Sequence, residues 1–304
     1  MDKSKLNVLL VAVHDWAAIG EQYARCLRSI GVNATMLVQN KHKFNYPHQG
    51  TLFRNTKQLA PYVKKANVIH LMHGQNPIPV PDLKGKKIVI SHTGSGYRAK
   101  YKELNKKLNP IADLTIVSGD LFGKGAKNEH WFEAGIVDVK VLKPVYERTS
   151  DKIIIGHFPS NSTKKGSKQI VKAIKNVEGN FEFRYGPKKV SWEEQIKRMS
   201  ECDIYVERFI GSNGFGITAL EAAALGKILF NPYIFVNKYR ESGANFAPIV
   251  FKGSEELVSK LEKVISSSDD ELLRLKKRMR NWVEKYHSYK AVGEKLLSLY
   301  MSII

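Results

Sequence analysis

Residues 207–226, ERFIGSNGFGITALEAAALG, hold the densest chemistry in the sequence. A strand-like run ends there, glycines at 211, 214 and 216 permit close backbone approach, and a helix begins near Ile217. Free N–H groups and the positive end of a helix dipole make such a turn a site for a diphosphate. Glu221 falls one turn into the helix, where a carboxylate can accept hydrogen bonds from ribose hydroxyls. Glycines alone serve tight packing equally well. His14, Asp15 and Trp16 follow the first apolar run at the end where open α/β sheets bind ligands, or else form a structural turn there. His70 and His73 have no carboxylate beside them, and Asp-x-Asp is absent from the sequence, so neither pattern suggests a metal site. Cys26 and Cys202 lie far apart without metal-ligand spacing; they read as buried hydrophobes in a reducing cytoplasm.

The elements that must position these residues alternate from the start. The run 6–13, LNVLLVAV, is apolar but for Asn7, as expected of a strand buried on both faces. Ile19, Tyr23, Cys26, Leu27 and Ile30 fall at helical spacing, ended by Gly31. Strands are predicted at 33–38, 66–72, 86–92, 113–118 and 137–142, with helices at 56–65 and 98–108. A polar connection over 143–151 precedes a second series. Its strands are 151–158, FEFRYG, DIYVERF and KILFNP, with helices between them and a long Lys/Arg-studded helical region from Asp269. Such alternation predicts parallel sheets covered on both sides.

With 304 residues and 43% hydrophobic composition the chain has room for two cores, and neither wholesale disorder nor a bilayer-spanning segment fits. The short apolar start reads as a first strand rather than a signal peptide. The net charge of +20 is uneven: residues 1–145 carry 22 basic against 10 acidic residues, the remainder 27 against 19. Between Glu21 and Asp82 there is no acidic residue, and a second cluster runs from Lys84 to Lys107. A field of this sign attracts nucleic acid or an anionic membrane, or reflects a Lys-rich proteome.

The 207–226 stretch resembles the donor-site motif of GT-B glycosyltransferases of the large retaining family 4 type, Glu-x7-Glu followed by an alanine-rich run and glycine. Glu221 matches the second glutamate, and Ala222-Ala223-Ala224-Leu225-Gly226-Lys227 follow. Asn213 stands in the first glutamate's place, able to hydrogen-bond but uncharged. Residues 156–174, GHFPSNSTKKGSKQIVKAI, are similar to the family segment in which Lys-Gly follows the donor domain's first strand. The resemblance implies that Lys165 reaches the nucleotide's diphosphate. His157 stands where the family commonly has Arg, implying a weaker or altered phosphate contact. Residues 280–300, with Tyr286-His287-Ser288, look like the family's terminal helix pair. Over 1–145 the similarity is one of pattern, best at KIVISHTGSG, where His92 falls at a histidine that faces sugar and acceptor in the family.

The implied fold is α/β, with two Rossmann-like domains facing a cleft. Residues 1–145 would take the acceptor and 150–304 the nucleotide sugar, with a C-terminal helix packing back toward the first domain. The implied chemistry is metal-independent, retaining sugar transfer without a further cofactor. Lys165, Arg208 and the amides of Gly214, Phe215, Gly216 and Ile217 would stabilise the departing diphosphate. No pair of carboxylates of the hydrolase kind is evident. A nucleotide-sugar 2-epimerase is disfavoured by the acid-poor first half. A catalytically silent nucleic-acid-binding protein on the same scaffold is an alternative of another class. A dehydrogenase would show GxGxxG after the first strand, where VHDWAAIG stands.

The acceptor is expected from the charge. Residues 40–57 interleave Lys41, Lys43, Arg54 and Lys57 with Phe44, Tyr46 and Phe53, cations and rings suited to phosphates and an exposed base. DNA is therefore favoured, as for the phage enzymes that glycosylate hydroxymethylated bases, over a membrane-lipid or polysaccharide acceptor.

Overall fold

The computed structural model describes residues 2–42, 44–74, 80, 82–133, 135–148, 150–210, 215–232, 239 and 247–304. The chain forms two compact units, Met1–Ile136 with Tyr289–Ile304, and Val137–Ser288. The second unit thus begins at Val137, before the 143–151 connection, and the final helix belongs to the first.

The first unit contains β1 (Asn7–His14), α1 (Ile19–Ser29), β2 (Asn33–Asn40), β3 (Thr51–Leu52), α2 (Ala60–Lys65), β4 (Val68–Leu71), β5 (Lys87–His92), α3 (Gly94–Leu108), β6 (Leu114–Val117) and β7 (Glu129–Trp131). Its seven strands lie in the order β3-β2-β1-β4-β5-β6-β7, all parallel. Central β1 supplies both faces: Val8, Leu10 and Ala12 enter one core, Leu9 and Val11 the other. This alternation explains why its sequence is apolar from Val8 to Val13.

The second unit contains β8 (Ile153–His157), α4 (Ser162–Lys165), α5 (Ser167–Ile174), β9 (Phe181–Tyr185), α6 (Trp192–Ser200), β10 (Ile204–Val206), α7 (Ile217–Ala224), β11 (Ile228–Pro232), β12 (Ile249–Phe251), α8 (Ser254–Ile265) and α9 (Asp269–His287). Its parallel sheet runs β12-β11-β10-β8-β9. Ile153, Ile155, Ile204, Val206, Ile228 and Phe230 build one face with Ile170, Leu257 and Leu261 from the helices. A capping box of Ser268 and Glu271 starts α9.

The last helix, α10 (Tyr289–Met301), packs on α1 within the first unit. Val292, Leu296 and Tyr300 enter the core beside Tyr23 and Leu27. Gly293 lies so close to Cys26 that a Cβ there would overlap the Cys26 carbonyl. Tyr300 also hydrogen-bonds His70 Nδ1 at 2.8 Å, while Ser91 Oγ meets Nε2 at 2.7 Å. His70 is thus a fully partnered core imidazole.

Two expectations change. The 137–142 run is a turn rather than a strand, because the Asp138 carboxylate accepts from the N–H groups of Lys140 and Val141 and folds the chain back. Phe53, expected among surface rings, is buried in the core with Leu59 and Val63. Among the described residues no helix is long and apolar enough to cross a membrane.

Candidate donor site in the second unit and the strand-end cluster of the first

At the carboxyl ends of β8 and β10 two chain segments come together. Asn161 caps α4 by accepting from the Lys164 N–H at 2.9 Å, and Gly166, at φ +68°, turns the chain from α4 into α5. A Cβ on Gly166 would strike Ile210 and Phe209, so the position excludes a side chain by space as well as by conformation. The Phe209 N–H then donates to the Lys165 carbonyl at 2.7 Å. These two constraints bring Lys165 beside Glu207 and Arg208.

Glu207 follows β10 and is fully buried. Its Oε1 accepts from Lys165 Nζ and, at 2.9 Å, from Arg208 Nη2, while Oε2 accepts from Arg208 Nε. Burial alone would raise this carboxyl, but the Arg208 charge and then that of Lys165 more than offset it and hold it at about 2. Burial depresses the Lys165 ammonium. Gly216 closes the arrangement: a Cβ there would overlap Glu207 Oε1 and lie 2.9 Å from Arg208 Nη2 and 3.2 Å from Lys165 Nζ. Gly216 is also the N-cap of α7, so both cations stand at the helix start that Ile217 opens. Asn213 and Gly214 lie outside the described residues.

Glu221 is buried in α7 and accepts from Trp192 Nε1 at 2.6 Å. Burial pushes its carboxyl up to about 7, against the lowering effect of the indole hydrogen bond. Phe215 turns its ring into an aromatic cluster, 4.9 Å from Trp282 and 5.3 Å from Tyr239, so its backbone is what the site can use.

His157 departs from its expected role. Its Nδ1 lies 2.8 Å from the Val206 carbonyl and its Nε2 2.8 Å from Ser167 Oγ. A neutral ring that donates to the carbonyl and accepts from the hydroxyl satisfies both. Burial lowers it to about 4. With both nitrogens engaged inside the protein, His157 ties β8 to β10 and α5 and offers no donor to a phosphate.

In the first unit, Asp15 caps α1: Oδ1 accepts from the Gly20 N–H at 2.7 Å and Oδ2 from the Glu21 N–H at 3.0 Å. His73 Nε2 lies 3.1 Å from Asp15 Oδ1 and 3.2 Å from the Trp16 N, and its Nδ1 lies 2.7 Å from Thr93 Oγ1. Asp15 is thereby a buried structural anchor. His14 and Trp16 are exposed and stacked at 5.4 Å, with the His42 ring 6.2 Å from Trp16. Lys41 is exposed; Lys43 lies outside the described residues. His92 is buried, stacked on Tyr97 at 3.8 Å, and lowered to about 4 by burial. Its Nδ1 has no hydrogen-bond partner among the described residues.

Lys165, Arg208, Gly216 and Ile217 are therefore brought together as their sequence positions suggested. Glu207 and Trp192 are additional members that sequence reasoning missed. A charged residue directly after a buried strand was the available signal for Glu207; nothing in the sequence pairs Trp192 with Glu221. Among the described residues no three His, Cys, Asp or Glu side chains group as a metal site.

No protein-family model matches this chain, and no curated protein sequence matches it. Solved structures do. Sucrose-phosphate synthase from Thermosynechococcus elongatus is similar at a TM-score of 0.67 and 13% identity, over 98% of this chain and 99% of that one. HepE from Anabaena, solved with UDP-glucose, is similar at a TM-score of 0.66 and 13% identity, over 98% and 100%. WaaG, a glycosyltransferase of lipopolysaccharide biosynthesis, is similar at 0.60 and 12% identity, over 96% and 99%. The fold is that of the GT-B glycosyltransferases.

Proposed function

We propose that this protein is a glycosyltransferase that takes its sugar from a nucleotide-diphosphate sugar. One observation carries the reading: Lys165 Nζ and Arg208 Nη2 both stand against Gly216 at the start of α7, in a fold that HepE uses to bind UDP-glucose. Cleavage of the glycosidic bond builds negative charge on the leaving diphosphate. Two cations and the oriented N–H groups of a helix start stabilise that charge more in the transition state than in the ground state. The same groups can stabilise charge building on a diphosphate without a divalent cation, which supports a metal-independent reaction. Glu221 would accept from the ribose hydroxyls, and Asn213 would bond the transferred sugar. Retention of configuration rests on the motif resemblance alone.

The acceptor would bind the first unit, with His92, His14 and Lys41 serving it and Asp15 holding the turn that carries Trp16. We favour a hydroxymethylated base in DNA, because Lys41, Arg54, Lys57, Lys100, Lys102, Lys106 and Lys107 are all solvent-exposed there. A membrane-lipid or polysaccharide acceptor is the second reading, supported by the fold shared with WaaG. The working compartment would be the cytoplasm.

The test is a panel of UDP-, GDP- and ADP-sugars with EDTA present, followed by thermal shift and by donor hydrolysis. A bound donor at about 100 times its Kd adds about 2.7 kcal/mol of stability. Shifts and turnover in EDTA are expected. Binding of DNA with neither donor binding nor turnover would instead support a silent nucleic-acid-binding protein.

A further inference from the structure

Within the donor site, Glu207 is the group that diphosphate binding does not require and the one most deeply buried. Its carboxylate sits between the two cations with both oxygens engaged: Oε1 is shared by Lys165 Nζ and Arg208 Nη2, and Oε2 takes Arg208 Nε. Its backbone N–H donates to the Phe230 carbonyl at 3.1 Å, continuing the pairing of β10 with β11. With a side-chain exposure of 0%, the carboxylate lies enclosed beneath its two partners. A diphosphate must therefore bind on the outer side of the cations, with Glu207 still in place beneath them.

We propose that Glu207 sets the charge of the donor site: lying between Lys165 and Arg208 at the Gly216 backbone, it subtracts one charge from the field they present to the diphosphate. The inference rests on the donor-site reading above. Without the carboxylate the two cations repel each other and lose a shared acceptor. With it, the site offers fixed donors and a net charge of about +1 beside the helix start. That balance serves turnover, because the group that steadies the leaving diphosphate must also release it as product. The absence of a Cβ at Gly216 has the same purpose, since a methyl there would overlap the Glu207 carboxylate.

Calorimetry of the full-length protein with inorganic pyrophosphate, UDP, GDP and ADP tests the proposal. Glu207→Gln should have a lower unliganded Tm, because a buried counter-charge is lost. The same variant should bind pyrophosphate and the preferred nucleoside diphosphate about tenfold more tightly, with kcat reduced through slow product release. Glu207→Asp, which keeps the charge, should stay closer to the wild type in both. A merely structural role would loosen binding in step with stability. Should Glu207→Gln fail to fold, the pair Arg208→Gln and Arg208→Gln/Glu207→Gln decides: the first weakens pyrophosphate binding and the second restores it. Weaker pyrophosphate binding in Glu207→Gln, or further loss in the double variant, overturns the proposal. A wild-type protein that binds none of the four ligands overturns the donor-site reading itself.

Discussion

The indole N–H of Trp192 donates to the Glu221 carboxylate at 2.6 Å and so joins the first turn of α6 to α7. Glu221 is buried, with its carboxyl raised to about 7, so it resists ionisation near neutral pH. The unfolded chain releases this proton near pH 4.5 and the folded chain near 7. Stability is therefore lost as pH rises through that window, by about 3 kcal/mol once Glu221 is ionised. Glu221→Gln keeps an acceptor for Trp192 and removes the penalty. It should match the wild type in Tm at pH 4.5 and exceed it at pH 8, while losing donor affinity. Equal Tm differences at both pH values would contradict a raised carboxyl.

Lys165→Ala should lower kcat by about 100-fold while leaving the protein folded, since it removes a cation from the leaving diphosphate. Gly216→Ala should lower activity at least as much by a different route, because its methyl enters the space of Glu207, Arg208 and Lys165. Such overpacking costs about 1–3 kcal/mol, which should appear as a lower Tm in Gly216→Ala. Near-normal turnover in both variants would place the donor site elsewhere.

Acid should destabilise both units. Burial lowers His70 to about 3 and His92 and His157 to about 4, so these imidazoles stay neutral when folded. The unfolded chain takes up their protons below pH 6.5. Their stability contribution is thus complete above 6.5 and falls as pH drops toward 4, by about 2 kcal/mol each at pH 5. His92→Phe keeps a ring to stack on Tyr97 and should shrink the Tm difference between pH 7 and pH 5. In the same variant, turnover should fall more than donor affinity, the sign that the imidazole serves the acceptor. An unchanged pH response would show that His92 already protonates when folded.

DNA binding should fall linearly in log K against log salt, by about 0.9 for each phosphate neutralised. Lys102 and Lys106 are exposed one turn apart on α3, and replacing both with Gln should flatten the slope by up to about 2. Tight binding to anionic vesicles, with no DNA affinity at about 50 mM salt, would transfer the proposal to a lipid acceptor.

Much of the scaffold was legible because β1, β5, β8 and β11 are apolar runs separated by helical spacing. The short strands β3, β7 and β12 were not, since two or three residues carry no period. Residues 137–142 alternate as a strand would, but the Asp138 side chain supplies a local hydrogen-bonding alternative that alternation does not reveal. Gly216, Ile217 and Lys165 could be singled out by type and motif. Glu207 and Trp192 act through partners 42 and 29 residues away, and His157 could not be told from a ligand-facing histidine until both its nitrogens had partners.

The placement of α10 bears on how the chain is made. Leu296 and Tyr300 complete a core begun by Leu6, Val8 and Leu10, so residues near the two ends of the sequence meet in one unit. During synthesis every element of the second unit leaves the ribosome before that helix does. The unit whose sequence starts first is thus the last to acquire its full core. Until Gly293 seats against Cys26, the α1 surface that α10 covers stays open to solvent and to chaperones.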